Sequence, residues 1–145
     1  LATKKMWKSK GMHPNLTFHH FGLAVKRFET AISFYSNLGY ACSESIYDPL
    51  QEVELVMCTS TTQPSVELVR PVNNNSPVNG ILSKVNESIY HTCYEIDKER
   101  DSEKKLFGNQ RAICVSDWKP AVLFEGRSVA FYYIKGLGLI ELLEK

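Results

Sequence analysis

Apolar and polar positions alternate in short blocks along the chain, which predicts several strands separated by turns and a few helices. A strand is predicted at 18–25, and a helix over about 27–38 because its apolar residues recur at the spacing of one helical face: Phe28, Ala31, Ile32, Tyr35 and Leu38. Gly39 is placed to end this helix, since glycine readily adopts the positive φ that follows a last turn. Three more strands, near 40–47, 52–58 and 65–70, give the order β-α-β-β-β.

The second half of the chain repeats this order. Ser76 followed by Pro77 is typical of a helix start and predicts a connecting helix that runs to about Val85. A strand at 89–96 and a short polar helix near 98–106 come next. Strands are then predicted near 111–116, 127–134 and 138–144. Both halves therefore read β-α-β-β-β.

Two strands with a histidine and two strands with a glutamate recur at nearly the same spacing. His20 and His91 are 71 residues apart, and Glu67 and Glu141 are 74 apart. This pattern indicates a duplicated half-domain. We therefore predict one α+β domain at 17–145, with module one at 17–71, a connecting helix at 76–86 and module two at 88–145.

Composition and charge limit the classes of function. The 145 residues are 43% apolar and 23% charged, and no apolar run has the ~20 residues of a membrane-spanning helix. Residues 1–12 carry a charge of +4 and the remainder −3, so the body of the chain lacks the clustered cations that nucleic acid requires. We expect residues 1–16 to be a basic, disordered leader. We expect neither a nucleic acid nor a membrane partner.

The cysteines and the leader indicate where in the cell the protein is located. The spacing of the four cysteines (Cys42, Cys58, Cys93 and Cys114) matches neither a zinc site nor a redox motif. The leader lacks the apolar segment of a signal peptide. We therefore expect a cytoplasmic protein with reduced, mostly buried thiols.

The duplication changes how the histidines and glutamates are interpreted. Alone, a glutamate such as Glu67 between Val66 and Leu68 fits a half-buried strand with its carboxylate in solvent, and a lone histidine is usually structural. If the modules are related by a pseudo-twofold axis, however, two imidazoles and two carboxylates face one centre of a concave sheet. Two desolvated carboxylates repel each other, and a divalent metal removes that penalty. Two nitrogen and two oxygen donors suit Zn, Ni, Co, Mn or Fe.

Five short stretches, taken in order, resemble the vicinal oxygen chelate superfamily, which includes glyoxalases, methylmalonyl-CoA epimerases, extradiol dioxygenases and antibiotic-resistance proteins. The stretches are His19–Val25, Val66–Pro71, Ser76–Val78, Ile89–Asp97 and Gly138–Glu144. Within the superfamily the chain looks most similar to epimerase-like and glyoxalase-like proteins. The resemblance implies a curved mixed sheet built from two tandem βαβββ modules.

The resemblance also implies roles for individual residues. It places metal ligands on His20, Glu67, His91 and Glu141, with glutamate at position 67 where epimerases usually carry glutamine. Glu54 falls where the epimerase-like proteins place a catalytic carboxylate, although Glu54 equally fits the solvent face of an amphipathic strand. Glu54, Glu67 and Glu141 are thus the candidate proton acceptors.

The implied chemistry is a metal-assisted proton transfer through an enolate or enediolate, on a small acyl thioester or a 2-oxoaldehyde adduct. Alternatives are an Fe(II)-dependent extradiol-type dioxygenase and a non-catalytic small-molecule-binding protein of the same fold. Arg70, Lys119 and Arg127 are candidate contacts for a phosphate or carboxylate of the substrate. Relatives suggest a homodimer.

Overall fold

The computed structural model describes residues 16–145, in which nine strands form one mixed sheet. The elements in chain order are β1 (Thr17–Ala24), α1 (Glu29–Asn37), β2 (Ala41–Cys42), β3 (Ile46–Asp48), β4 (Val53–Thr59), β5 (Ser65–Pro71), α2 (Asn79–Val85), β6 (Ser88–Ile96), α3 (Glu103–Phe107), β7 (Ala112–Pro120), a 3₁₀ turn (Val122–Phe124), β8 (Ser128–Ile134) and β9 (Gly138–Glu144). The predicted α+β class and the two tandem modules are confirmed. The predicted leader lies outside the described residues, apart from Leu16.

The two modules meet at the centre of the sheet, where β1 and β6 pair antiparallel. The strand order is β2-β4-β5-β1-β6-β9-β8-β7, with β3 also paired to β4. In each module the first strand lies parallel to the last: β1 beside β5, and β6 beside β9. The strands that carry the two histidines are therefore adjacent, and each has a glutamate strand on its other side.

The two faces of the first module's sheet have separate cores. Val66 and Leu68 of β5 point to the face covered by α1, where they pack with Phe28 and Tyr40. Their neighbour Val69 points to the opposite, inner face and packs with residues that include Ala24, Val53, Leu55 and Leu82. Because side chains alternate along a strand, Glu67 lies on the inner face with Val69.

Several element boundaries differ from the predicted ones. The strand predicted at 40–47 is split into β2 and β3, and between them the Ser43 hydroxyl accepts the Met57 backbone N–H at 3.0 Å. The connecting helix begins at Asn79, because the Ser76 hydroxyl accepts N–H groups from the preceding loop at Val72 and Asn73 and does not cap the helix.

The second module shows two similar differences. The polar helix predicted near 98–106 is confined to α3. Strand β7 extends to Pro120, beyond the predicted end at 116, and two register shifts along its pairing with β8 obscure the alternation.

None of the helices between residues 16 and 145 has the length and hydropathy of a membrane span.

Gly22 lies directly opposite His91 across the β1–β6 pairing, and the imidazole occupies the space above the glycine. A Cβ at position 22 would lie 2.0 Å from His91 Cε1, a distance that no packing tolerates. The absence of a side chain at Gly22 therefore determines where the His91 ring can lie.

We predict that Gly22→Ala lowers the free energy of unfolding by about 1–3 kcal/mol, because the added methyl group overpacks a buried ring. Gly80→Ala in α2 is the matched control: its Cβ meets no atom within 4 Å, so the helix should gain about 0.5–1 kcal/mol. Urea denaturation measures both values. Equal effects of the two substitutions would contradict the close approach of Gly22 and His91.

Candidate metal centre

Four buried side chains from four neighbouring strands converge at the centre of the inner face. They are His20 on β1, Glu67 on β5, His91 on β6 and Glu141 on β9, and one donor atom from each lies within 4.8 Å of the others. Their residues are between 0% and 4% exposed. The structure thus brings together the four predicted metal ligands.

Glu141 lies closest to both imidazoles. Its Oε2 atom is 3.2 Å from Nε2 of His20 and 2.9 Å from Nε2 of His91. The two Nε2 atoms are 3.3 Å apart. The two carboxylate oxygens of Glu67 each face one ring: Oε2 lies 3.7 Å from Nε2 of His20, and Oε1 lies 3.7 Å from Nε2 of His91. Both rings therefore direct Nε2 to the same point that the two carboxylates face.

The two carboxyl groups differ in acidity. Burial raises the pKa of Glu67 to about 8, with further contributions from the charges of Glu141 and Asp48. Burial also opposes ionisation of Glu141, but the adjacent imidazoles of His20 and His91 outweigh it and hold its pKa at about 2. Burial therefore favours the protonated form of Glu67, whereas the imidazoles favour the ionised form of Glu141.

The donor set fits a divalent metal ion. Within residues 16–145, Glu141 Oε2 is buried and has no hydrogen-bond donor of acceptable geometry, despite its short distances to the two rings. An unsatisfied buried carboxylate oxygen is costly, and a cation between the four residues would satisfy it. The buried cluster of two histidines and two glutamates is consistent with a divalent metal site.

His19 lies directly behind His20. The Nδ1 atoms of the two residues are 2.8 Å apart. If Nε2 of His20 binds a metal, its proton sits on Nδ1, and His19 Nδ1 is then the acceptor. Burial and the neighbouring His20 lower the pKa of His19, which keeps it neutral and able to accept. Such outer contacts orient metal-binding histidines.

Aromatic rings enclose the two imidazoles. Phe124 stacks on His20 with the ring centroids 5.5 Å apart. The His91 ring contacts Tyr90 and Phe131 edge-on, at 4.5 and 5.4 Å. His19 and Tyr90 were not predicted as parts of the site, although each is the sequence neighbour of a predicted histidine ligand.

The structure places Glu54 away from this cluster. Glu54 pairs in register with Arg70, and both alternate with inner-face residues, so they lie on the face that carries α1. Glu54 Oε2 is 2.7 Å from the Arg70 guanidinium, which itself lies over the Phe28 ring. The structure therefore does not bring Glu54 together with the four clustered residues, and its catalytic role stays a prediction.

The three cations predicted to contact the substrate lie in different surroundings. Arg70 is held by Glu54, and Arg127 forms an ion pair with Glu95. Lys119, by contrast, lines a cavity on the inner face. Of the three candidate substrate contacts, Lys119 is thus the one available to a ligand in that cavity.

Asp48 is a buried carboxylate that the sequence did not indicate. It is 0% exposed and its charge contributes to the raised pKa of Glu67. Its Oδ1 accepts the backbone N–H groups of Leu50 and Gln51, and its Oδ2 accepts from the Gln51 side chain. These bonds make Asp48 the anchor of the turn between β3 and β4.

We predict that the metal-free protein loses stability between about pH 4.5 and pH 8 through Glu67. In this range the folded state keeps the Glu67 proton and the unfolded state releases it, so unfolding becomes easier as pH rises, by up to about 1.4 kcal/mol per pH unit. Glu141 contributes no slope there, since its lowered pKa affects stability only below about pH 4.5. Urea denaturation of the chelated protein should show that Glu67→Gln removes this part of the slope. An unchanged slope would contradict the raised pKa.

We predict that His19→Phe weakens metal binding about 10- to 100-fold, because the variant keeps a ring but removes the acceptor for His20 Nδ1–H. His19→Asn is the matched variant: its side-chain oxygen can replace the acceptor and restore most of the affinity. Competition titration with Co²⁺ gives the dissociation constants, and the cobalt absorption bands report the ligand geometry. Wild-type affinity in the phenylalanine variant would show that His19 does not orient His20.

Comparison with known proteins finds relatives among the methylmalonyl-CoA epimerases. The chain is 33% identical over 81 residues to mitochondrial methylmalonyl-CoA epimerase of Homo sapiens, a match that covers 54% of this chain and 46% of the human protein. The chain thus spans about half the length of that relative. It is 27% identical over 128 residues to ethylmalonyl-CoA/methylmalonyl-CoA epimerase of Cereibacter sphaeroides, over 86% of this chain and 94% of that protein.

A solved structure and a family comparison extend the likeness to the fold. The structure of methylmalonyl-CoA epimerase from Mycobacterium tuberculosis superposes with a TM-score of 0.73 at 17% identity, over 95% of this chain and 92% of the other. The sequence profile of the glyoxalase/bleomycin resistance protein/dioxygenase superfamily matches residues 19–131. That match covers most of the chain, its two histidine strands included. The chain belongs to the glyoxalase/bleomycin resistance protein/dioxygenase superfamily.

Proposed function

We propose that this protein is a divalent-metal-dependent isomerase that moves a proton on the carbon beside an acyl thioester, in the manner of an epimerase. The observation that carries the proposal is the buried cluster of His20, Glu67, His91 and Glu141. The similarity to methylmalonyl-CoA epimerases supports the substrate class and the reaction type.

The four clustered residues would hold the metal ion. When bound, a divalent cation supplies positive charge that stabilises negative charge developing on neighbouring substrate oxygens. The chain's own contribution is to fix the donors and to exclude water. Phe124 and Phe131 pack against the two imidazoles and keep that region apolar.

Glu141 is the residue we propose as proton acceptor. Both of its imidazole contacts use Oε2, which leaves Oε1 to receive a proton from the substrate carbon. Glu67, by contrast, faces one imidazole with each oxygen. Release of that proton to solvent and return of a solvent proton to the same face of the carbon completes an exchange, and a solvent proton delivered to the opposite face inverts the centre.

The four-donor set also weighs against the other two readings. A dioxygenase of this type needs two histidines and a single carboxylate, with open positions for oxygen, and Glu67 is an additional donor here. A metal-free binding protein would bury two carboxyl groups and two imidazoles without need. Homodimer formation and a cytoplasmic location stay predictions.

We predict that the metal-loaded protein exchanges the 2-proton of methylmalonyl-CoA with solvent and interconverts its two epimers. NMR in D₂O measures the exchange. His91→Ala and Glu141→Gln should each lower the rate at least about 100-fold, because the first removes a ligand and the second the acceptor. Chelation should abolish exchange, and added Co²⁺ should restore it.

Glu54→Gln distinguishes the two candidate positions of the catalytic carboxylate. It lies on the opposite face, beside Arg70, so we expect it to change the exchange rate less than about twofold. A loss as large as that of Glu141→Gln would contradict the proposed role of Glu141. No exchange in any metal-loaded sample would contradict the epimerase function itself.

A further inference from the structure

A cavity of about 780 Å³ opens on the inner face of the sheet. Aliphatic and aromatic side chains dominate its wall. The lining includes Val69, Tyr90, Val115, Lys119, Phe131 and Tyr133. Such a wall suits a hydrocarbon chain.

The cavity adjoins the candidate metal centre. Tyr90 and Phe131 belong to its wall and also contact the His91 ring, at 4.5 and 5.4 Å between centroids. Val69, on the same strand face as Glu67, lines the cavity as well. A ligand in the cavity would therefore lie beside the four clustered residues.

Part of the apolar wall is exposed to solvent. Five large apolar residues of the lining (Leu50, Val85, Ile89, Val115 and Tyr133) are between 46% and 60% exposed. Contiguous exposed apolar surface of this kind marks a binding site, because covering it releases free energy.

One cation stands in this apolar wall. Lys119 is the single charged residue of the lining, and no carboxylate of residues 16–145 lies within ion-pair distance of its ammonium group. Lys119 pairs in register with Val129, whose neighbour on β9 is Leu143, an inner-face position like Glu141. The Lys119 ammonium group can therefore bind an anionic group of a ligand whose hydrocarbon chain lies against the wall.

We propose that this cavity binds an aliphatic acyl chain longer than a methyl group, with an anionic group of the same ligand held by Lys119. The inference rests on the proposed function, which it deepens: it assigns the protein to substrates with an extended alkyl substituent. The apolar area of the wall supplies affinity, and Lys119 supplies orientation.

The test uses non-reacting probes on the chelated, metal-free protein. Isothermal titration with butanoate, hexanoate, octanoate and decanoate should show the dissociation constant falling about fourfold per added methylene, equivalent to ~0.8 kcal/mol. Free coenzyme A is the comparison probe. Dissociation constants independent of chain length, or coenzyme A binding more tightly than octanoate, would overturn the proposal.

Two residues of β7 provide matched variants of the wall. Val115 lines the cavity and is 60% exposed, whereas Ile113 is 63% exposed and lies outside it. Val115→Asp should remove the dependence on chain length by placing a charge in the wall, and Ile113→Asp should leave it unchanged. Equal behaviour of the two variants would overturn the assignment of this cavity.

Lys119→Gln tests the anionic contact. It should weaken octanoate binding about tenfold and leave the binding of neutral octanol unchanged. Lys135→Gln, which replaces a lysine outside the lining, is the control. An equal loss for octanoate and octanol would overturn the role of Lys119.

Three further outcomes distinguish this proposal from its alternatives. If no probe binds and Val115→Asp converts a dimer to a monomer in sedimentation, the wall is covered by a second copy and the proposal fails. Binding of the alkyl probes without metal-dependent proton exchange would contradict the proposed function alone. Exchange of the 2-proton of methylmalonyl-CoA by a protein that binds none of the alkyl probes would contradict the present inference alone.

Discussion

The antiparallel pairing of β1 with β6 is the constraint on which the rest of the structure depends. It places the histidine strand of each module at the centre of the sheet, with a glutamate strand on either side. Neither module contains more than half of the buried cluster. The pairing also needs Gly22, because the His91 ring occupies the space that a side chain there would fill. One strand interface thus joins the modules and assembles the site.

The cost of that assembly is electrostatic. Burial raises the pKa of Glu67 to about 8 and the charge of Glu141 adds to this, while the imidazoles hold the pKa of Glu141 below its usual range. A fold optimised for stability alone would replace these groups with apolar ones. Their presence in the interior, together with an unsatisfied oxygen on Glu141, is consistent with a divalent cation bound by the cluster.

The duplicated pattern was enough to predict the α+β fold and the meeting of His20, Glu67, His91 and Glu141, because equivalent strands in a twofold arrangement face one centre. The face on which Glu54 lies depended on strand register. Met57 pairs with Glu67 on the inner face, and alternation along β4 then puts Glu54 on the face covered by α1, where it forms an ion pair with Arg70. Ser76 looked like a helix cap but serves the preceding loop. The stacking of Phe124 on His20 could not be predicted, since it joins residues that are far apart in the sequence.

The proposed chemistry requires that the four converging residues bind one divalent ion. Anomalous diffraction at the cobalt edge, from crystals of the Co²⁺-loaded protein, can locate that ion. We predict one peak on the inner face, about 2.0–2.2 Å from Nε2 of His20 and His91 and bonded to oxygens of Glu67 and Glu141. A map without a peak there, or with cobalt only at surface residues, would contradict it.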